Sequence, residues 1–199
     1  MESVVQERWK LVRYDASVER RVFSAPIMVI FAVGGALLTG LLAQIRLPLP
    51  FTPIPVTGEV LAVLLCGSLL GSGYGVLSQA LFIAAALAGV PWLAHGEVKM
   101  DVLLAPSAGY LVGFLAASYY VGLATQAGAW ARTLQGQIVV MLSGAAIILF
   151  FGATYLMLTL GLSPWHAFCV GVLPFVAVDV VKAVMAAMLT SAVLPKYKR

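Results

Sequence analysis

Long runs of apolar residues fill most of the chain, and short polar stretches separate them. Six apolar segments stand out, at residues 24–45, 58–71, 74–91, 102–125, 137–161 and 166–194. A bilayer core takes about 20 helical residues, and the first, fourth, fifth and sixth segments reach that length. The pattern therefore predicts helices that cross a membrane.

The second segment is too short to cross a bilayer without help. Only the GSLLGSGYG region, residues 67–75, separates it from the third segment. We therefore expect the second and third segments to form a tight helical hairpin whose ends are completed by irregular backbone.

The composition supports a membrane protein. Of the 199 residues, 62% are hydrophobic and only 10% are charged, which a soluble domain of this length would find hard to keep in solution. We predict an all-α protein with one six-transmembrane-helix domain at residues 24–194. A polar N-terminal arm at residues 1–23 precedes it, a basic tail at residues 195–199 follows, and the expected location is the plasma membrane.

Lysine and arginine positions give the orientation. Eight of the twelve basic residues lie at the two ends of the chain: Arg8, Lys10, Arg13, Arg20, Arg21, Lys196, Lys198 and Arg199. Because basic residues favour the cytoplasmic side, both termini are expected there, and the number of crossings is expected to be even. The net charge of +4 is then an orientation signal, and it does not support nucleic-acid binding.

The sequence lacks the common catalytic and nucleotide-binding motifs. It has no GxxxxGK[ST] loop, no HExxH and no GxSxG, so we expect no enzyme, and any ATP-driven step needs another subunit. The HGEVKMD stretch, with His95, Glu97 and Asp101, holds mixed ligand types at irregular spacing. A solvated loop is favoured over a metal site there, and no cofactor is expected.

Charged residues are rare inside the apolar segments. If Pro174 occupies the first turn of the last helix, Asp179 and Lys182 lie one to two turns from its outer end and on the same face. The pair either orients the helix as a buried ion pair or offers an acceptor and a donor to a polar ligand. Because charges at membrane depth are costly and usually functional, ligand binding is favoured.

Four prolines lie between Leu47 and Val56, and we call residues 48–55 the proline segment. Irregular backbone at membrane level persists only where protein buries it or where it lines a cavity, so this segment suggests a lid or wall over an outer site. Thr57 is expected to open a helix with Glu59 in its first turn, where a carboxylate is favoured by the helix dipole alone. A role in the pocket and a role in the helix start are equally supported for Glu59.

Aromatic residues lie near the same outer boundary. Trp92 and Tyr110 each follow or precede Gly and Pro residues. An isolated aromatic residue at this level is commonly an interface anchor. Several that converge with the proline segment and a charged pair favour a small apolar pocket with a few polar groups.

The string PFTPIPVTGEVLAVLLCGSLLGSGYGVLSQALFIAAALAGVPWLAHG, followed by LLAPSAGYLVGF and LPFVAVDVVKAVMAA, resembles the BioY family of biotin transporters. These proteins are the substrate-binding S components of energy-coupling factor (ECF) transporters. The resemblance spans residues 51–188. It implies a six-helix protein that captures biotin from outside and works with a transmembrane coupling subunit and a pair of ATPases.

The resemblance also implies site residues. The Asp and Lys of the family's last helix map onto Asp179 and Lys182. The remaining candidate contacts with the ligand are Trp92, Tyr110, Phe51, Glu59 and His95, although the family often has Gln at the position of Glu59. Small residues on the first helix contact the coupling subunit in these transporters, and Ala32 and Ala36 match that pattern. Close packing within the bundle explains Ala32 and Ala36 equally well.

Rival functions make distinct demands on the sequence. A carrier for another small vitamin-like molecule would share the architecture and is the main alternative. An ion channel would need a continuous polar path, which the inner halves of these segments lack. An intramembrane enzyme would need a nucleophile with a base or a metal cluster, and His95 and His166 do not provide one. The sequence leaves room for a homo-oligomer.

Overall fold

The computed structural model describes residues 24–93 and 98–194. These residues form seven α-helices, a short 3-10 turn at Trp130–Arg132 and a two-stranded antiparallel sheet of β1, Arg46–Leu47, and β2, Val56–Thr57. The helices are α1, Ala25–Ala43; α2, Glu59–Leu87; α3, Asp101–Leu104; α4, Ala108–Gln126; α5, Leu134–Leu160; α6, Pro164–Gly171; and α7, Leu173–Val193.

Five of these helices, α1, α2, α4, α5 and α7, are long and apolar enough to cross a membrane. This confirms the prediction of a mostly helical membrane protein. The expected arm at residues 1–23 and tail at residues 195–199 lie outside the described residues.

The number of helices differs from the six that the apolar segments predict. The fourth predicted segment is divided into α3 and α4 at Pro106, because the residue before a proline is driven out of the α conformation, and Ala105 is extended there. The sixth is divided into α6 and α7 at Val172, and Pro174 lies in the first turn of α7, as expected.

The second and third predicted segments are joined in α2, which breaks at Gly71. The backbone there has φ 78° and ψ 177°, a region open almost only to glycine. A Cβ added at Gly75 would lie 2.9 Å from the Cα of Gly67. Residues eight apart in a straight helix are about 12 Å apart along the axis, so α2 turns back on itself at Gly71 and forms the predicted hairpin.

The hairpin of α2 forms the centre of the bundle. It packs against α1, α4 and α7, and α5 packs against α4 and α7. Ser68 of α2 and Thr190 of α7 share a buried hydrogen bond of 2.8 Å, so the C-terminal end of α7 lies near the turn at Gly71. The β1–β2 sheet, Leu93 and the bend between α6 and α7 lie at the opposite end of the bundle.

Candidate functional site

A cavity of about 50 Å³ lies at the end of the bundle that carries the β1–β2 sheet. Its walls are mostly apolar and come from α2, α4, α5, α7 and the proline segment. The lining residues are Ile54, Pro55, Thr57, Glu59, Val60, Leu93, Ser107, Tyr110, Leu111, Phe114, Ile148, Leu149, Phe175, Asp179 and Lys182. Such a mixture of apolar walls and few polar groups is typical of a small-molecule site.

Asp179 and Lys182 form an ion pair in the wall of this cavity. Lys182 Nζ lies 2.8 Å from Asp179 Oδ1. Asp179 is buried, with 3% of its surface exposed, and Lys182 is partly buried. The spacing of three residues places both side chains on one face of α7, as the sequence predicts. The pair offers an acceptor and a donor to a polar group inside the cavity.

Glu59 adds a second carboxylate to the lining, at the start of α2. It is 7% exposed, and the hydroxyl of Thr57 donates to Glu59 Oε2 at 2.6 Å. Thr57 belongs to β2, where it is paired with Arg46 of β1. The sheet therefore fixes the direction from which Glu59 enters the wall, and the cavity combines two carboxylates with one ammonium group.

Aromatic rings form part of the apolar wall. The ring of Tyr110 meets that of Phe175 edge to face, with centroids 6.1 Å apart. The Tyr110 hydroxyl donates to the carbonyl of Gly171 at 2.6 Å, which holds the ring in place. Phe114, one turn further along α4, lies on the same wall. These rings present flat apolar surfaces close to Asp179 and Lys182.

Two further predicted ligand contacts, Trp92 and Phe51, do not line the cavity. The indole N–H of Trp92 donates to the carbonyl of Phe82 at 3.1 Å, and the two rings pack with centroids 5.2 Å apart. Trp92 also lies against Gly40 of α1. Its neighbour Leu93 lines the cavity instead. Phe51 is 61% exposed, and His95 lies outside the described residues.

Ala32 and Ala36 face the interior of the bundle. They are 0% and 3% exposed, and Gly35 between them lies close to Cys66 and Ser78 of α2. This arrangement agrees with the alternative interpretation of these residues, which is close packing within the bundle. The contact of Ala32 and Ala36 with a coupling subunit stays a prediction.

Sequence reasoning missed most of the apolar lining. Nothing in their chemistry distinguishes the apolar lining residues from other apolar residues of the membrane-spanning helices. This holds for Phe114, Ile148, Leu149 and Phe175. Leu149 and Asp179 also border a second, apolar groove of about 380 Å³ between α5, α6 and α7.

Among the described residues, no group of three or more His, Cys, Asp or Glu side chains is placed to hold a metal ion.

Comparison with known proteins places the chain among vitamin transporters. The model of the BioY family matches residues 16–199. The biotin transporter BioY of Rhizobium etli is 30% identical over 176 residues, which cover 85% of this chain and 94% of the relative. The biotin transporter BioY of Thermotoga maritima is 30% identical over 146 residues, 71% of this chain and 81% of the relative.

A solved structure has the same fold. It is the S-component for biotin from an ECF-type ABC transporter, and it superposes with a TM-score of 0.76 at 24% sequence identity. The match covers 83% of this chain and 89% of that chain.

Proposed function

The chain belongs to the BioY family, and from this premise we propose that it is the membrane-embedded biotin-binding component of a biotin uptake transporter. The relatives that it matches over most of their length are named as biotin transporters, which are transport proteins and not enzymes. The single observation that carries the proposal is the buried Asp179–Lys182 pair in the wall of an otherwise apolar cavity.

The chemistry of biotin matches the groups around this cavity. Biotin has a cyclic urea with two N–H donors and one carbonyl acceptor, an apolar thioether ring and a carboxylate on a flexible tail. Asp179 accepts hydrogen bonds from the urea N–H groups, and Lys182 donates to an oxygen of the ligand, either the urea carbonyl or the tail carboxylate. Tyr110, Phe114 and Phe175 cover the apolar ring. This assignment is supported by the shared lining and by the 2.8 Å contact between the two charges.

The chain crosses the membrane six times, with both ends in the cytoplasm, and forms one domain at residues 24–194. Five long apolar helices support this arrangement, because the reversal of α2 at Gly71 makes two crossings out of one helix. The cavity then faces the outer side, and biotin enters from there. An ATP-driven energy-coupling module, made of a transmembrane coupling subunit and ATPases, then drives delivery of biotin to the cytoplasm.

The coupling subunit binds the outward face of α1. This face is apolar, with Ile30, Leu37 and Leu41 exposed. Near its middle is Gly34, where an added Cβ would meet nothing within 4 Å. Small residues let two helix backbones approach closely, so a partner helix fits against Gly34, in the same small-residue stretch as Ala32 and Ala36.

Uptake in cells tests the proposal. A bacterium that needs biotin for growth and lacks its own biotin transporter is supplied with this chain and an energy-coupling module, and growth is measured at trace biotin. Growth that depends on the chain and fails in the Asp179→Asn variant is expected. Growth that is no better than without the chain, while the protein is present in the membrane, would contradict the proposal.

A further inference from the structure

The end of α1 presents a glycine and a glutamine on one face. Gly40 and Gln44 are four residues apart, and residues at this spacing are neighbours on a helix surface. The side-chain amide of Gln44 donates to the carbonyl of Gly40 at 3.1 Å, one of the last four carbonyls of the helix, which have no helical donor. This bond fixes the direction of the Gln44 side chain. We call Gly40 and Gln44 the α1 seat.

Trp92 lies on the α1 seat. The amide nitrogen of Gln44, which carries two N–H donors, also donates to the carbonyl of Trp92 at 2.7 Å. A Cβ added at Gly40 would lie 2.5 Å from Cε3 of Trp92, so the indole ring occupies the space that a side chain at position 40 would need. The ring also packs against Phe82, and its N–H donates to the Phe82 carbonyl at 3.1 Å. Trp92 is therefore held by α1 and α2 together.

Leu93 follows Trp92 directly and belongs to the cavity wall. It is 4% exposed, and among the described residues between α2 and α3 it alone lines the cavity. The carbonyl of Trp92 and the N–H of Leu93 form one planar peptide unit. The hydrogen bond from Gln44 to this carbonyl therefore fixes the plane from which the side chain of Leu93 enters the wall.

The α1 seat acts from behind the wall. All residues of α1 are described, and neither they nor Gln44 line the cavity. A binding site works only when supporting residues hold its lining side chains within about 0.5 Å of the productive geometry. For Leu93 that support comes through Trp92 and its contacts with α1 and α2.

We propose that Gly40 and Gln44 are positioning residues: they hold Trp92 so that Leu93 packs against the ligand, and they raise the affinity for biotin without touching it. This inference rests on the proposed function, because biotin is taken as the ligand. Trp92, a predicted ligand contact, acts on the cavity through Leu93.

Equilibrium binding of radiolabelled biotin to the full chain in lipid nanodiscs tests the α1 seat. In Gly40→Ala the indole ring must move by about 1 Å, because carbon atoms pack about 3.5 Å apart or more. A rise in Kd of about fivefold or more is expected, since a misfit of one methylene in a pocket costs at least that much. Gly73→Ala is the matched control, because Gly73 is also helical and its added Cβ meets nothing within 4 Å. Its Kd is expected to equal that of the wild type.

A double-mutant cycle shows whether the α1 seat acts through Leu93. Leu93→Ala alone is expected to raise Kd about tenfold or more. Residues that act through a shared contact have non-additive effects, so adding Gly40→Ala to Leu93→Ala is expected to change Kd by less than about twofold.

Gln44→Met provides a second route to the same cycle. Methionine has a similar length but no N–H donor, so the bond to the Trp92 carbonyl is lost. A rise in Kd of about three- to tenfold is expected, the effect of one net hydrogen bond, and it is expected to disappear in the Leu93→Ala background. This variant carries the cycle if Gly40→Ala does not fold.

Two outcomes on a wild type that binds biotin overturn the proposal. The first is an unchanged Kd in a folded Gly40→Ala or Gln44→Met variant. The second is an effect that multiplies in full with that of Leu93→Ala, which shows that the α1 seat acts by another route, such as a general loss of stability.

A wild type that does not bind biotin contradicts the proposed function, and the α1 seat is then tested separately by hydrogen–deuterium exchange at residues 88–93. Faster exchange in Gly40→Ala and Gln44→Met than in the wild type and Gly73→Ala supports the α1 seat. Equal exchange in all four overturns it.

Discussion

Lys182 Nζ lies 2.8 Å from Asp179 Oδ1, about one turn apart on α7, and both side chains line the cavity. Each side chain neutralises the other in an apolar setting. A ligand with both donors and acceptors can take over these contacts without leaving a charge unpaired. The pair therefore suits a ligand of mixed polarity.

Replacement of either member of the pair is expected to abolish tight biotin binding. Asp179→Asn or Lys182→Ala removes a direct contact and leaves the other charge buried without its partner, a change that costs about 2–5 kcal/mol when a charged pair is desolvated. Equilibrium binding of labelled biotin to the purified variants measures the loss, expected at about 30-fold or more.

The double variant Asp179→Asn/Lys182→Met separates binding from folding. It contains no unpaired charge, so its thermal unfolding temperature is expected to recover relative to the single variants, while biotin binding stays lost. Binding that returns together with stability would show that the pair only orients α7.

Glu59→Gln is expected to retain binding. The amide oxygen of Gln still accepts the bond from Thr57, and the change removes one of two carboxylates from a cavity proposed for an anionic ligand. Affinity is expected to stay within about fivefold of the wild type, since the hydrogen bond with Thr57 is kept. A loss of affinity as large as that of Asp179→Asn would show instead that the charge of Glu59 binds the ligand.

Gly71 is expected to be essential for the reversal of α2. In Gly71→Ala, alanine must adopt a φ of 78°, which strains its backbone, and its Cβ lies 2.6 Å from Gln126 Nε2. A loss of about 1–3 kcal/mol in unfolding free energy is therefore expected. Gly73→Ala, two residues away, is the control, because its Cβ has open space. Thermal unfolding in detergent compares the two, and equal stability would contradict the tight turn.

The outward face of α1 gives a test of the coupling surface. Gly34→Leu is expected to leave biotin binding intact and to lower ATP-driven uptake, because the added side chain blocks close approach of a partner helix. Ala84→Leu, at an exposed position of α2, serves as the control. Uptake by Gly34→Leu equal to that of the control would place the coupling contact elsewhere.

The apolar pattern predicted the membrane-spanning helices well, because length and hydropathy decide which segments can cross a bilayer. It also predicted the hairpin, since GSLLGSGYG allows a reversal that few other sequences permit. The apolar pattern alone does not show the boundary at Pro106, and it shows the one at Val172 only through Pro174, which was expected in the first turn of the last helix. A proline inside an apolar run changes the backbone without changing the hydropathy on which the segments were drawn.

The site was predictable where spacing along one helix decides proximity, as for Asp179 and Lys182. The site was not predictable where the hydrogen-bond partner of a side chain is set by the tertiary fold and not by local spacing. Trp92 carries an indole N–H, and the carbonyl of Phe82 satisfies it away from the cavity. Thr52 meets Val170 across 118 residues, a contact that no local pattern reveals.

The central claim is that this chain binds biotin in the cavity beside Asp179. Equilibrium binding of radiolabelled biotin to the purified wild-type chain, in competition with an excess of other unlabelled vitamins, tests it most directly. The account predicts saturable binding that only unlabelled biotin displaces and that Asp179→Asn loses. Displacement by a different vitamin in place of biotin, or equal binding to wild type and Asp179→Asn, would contradict it.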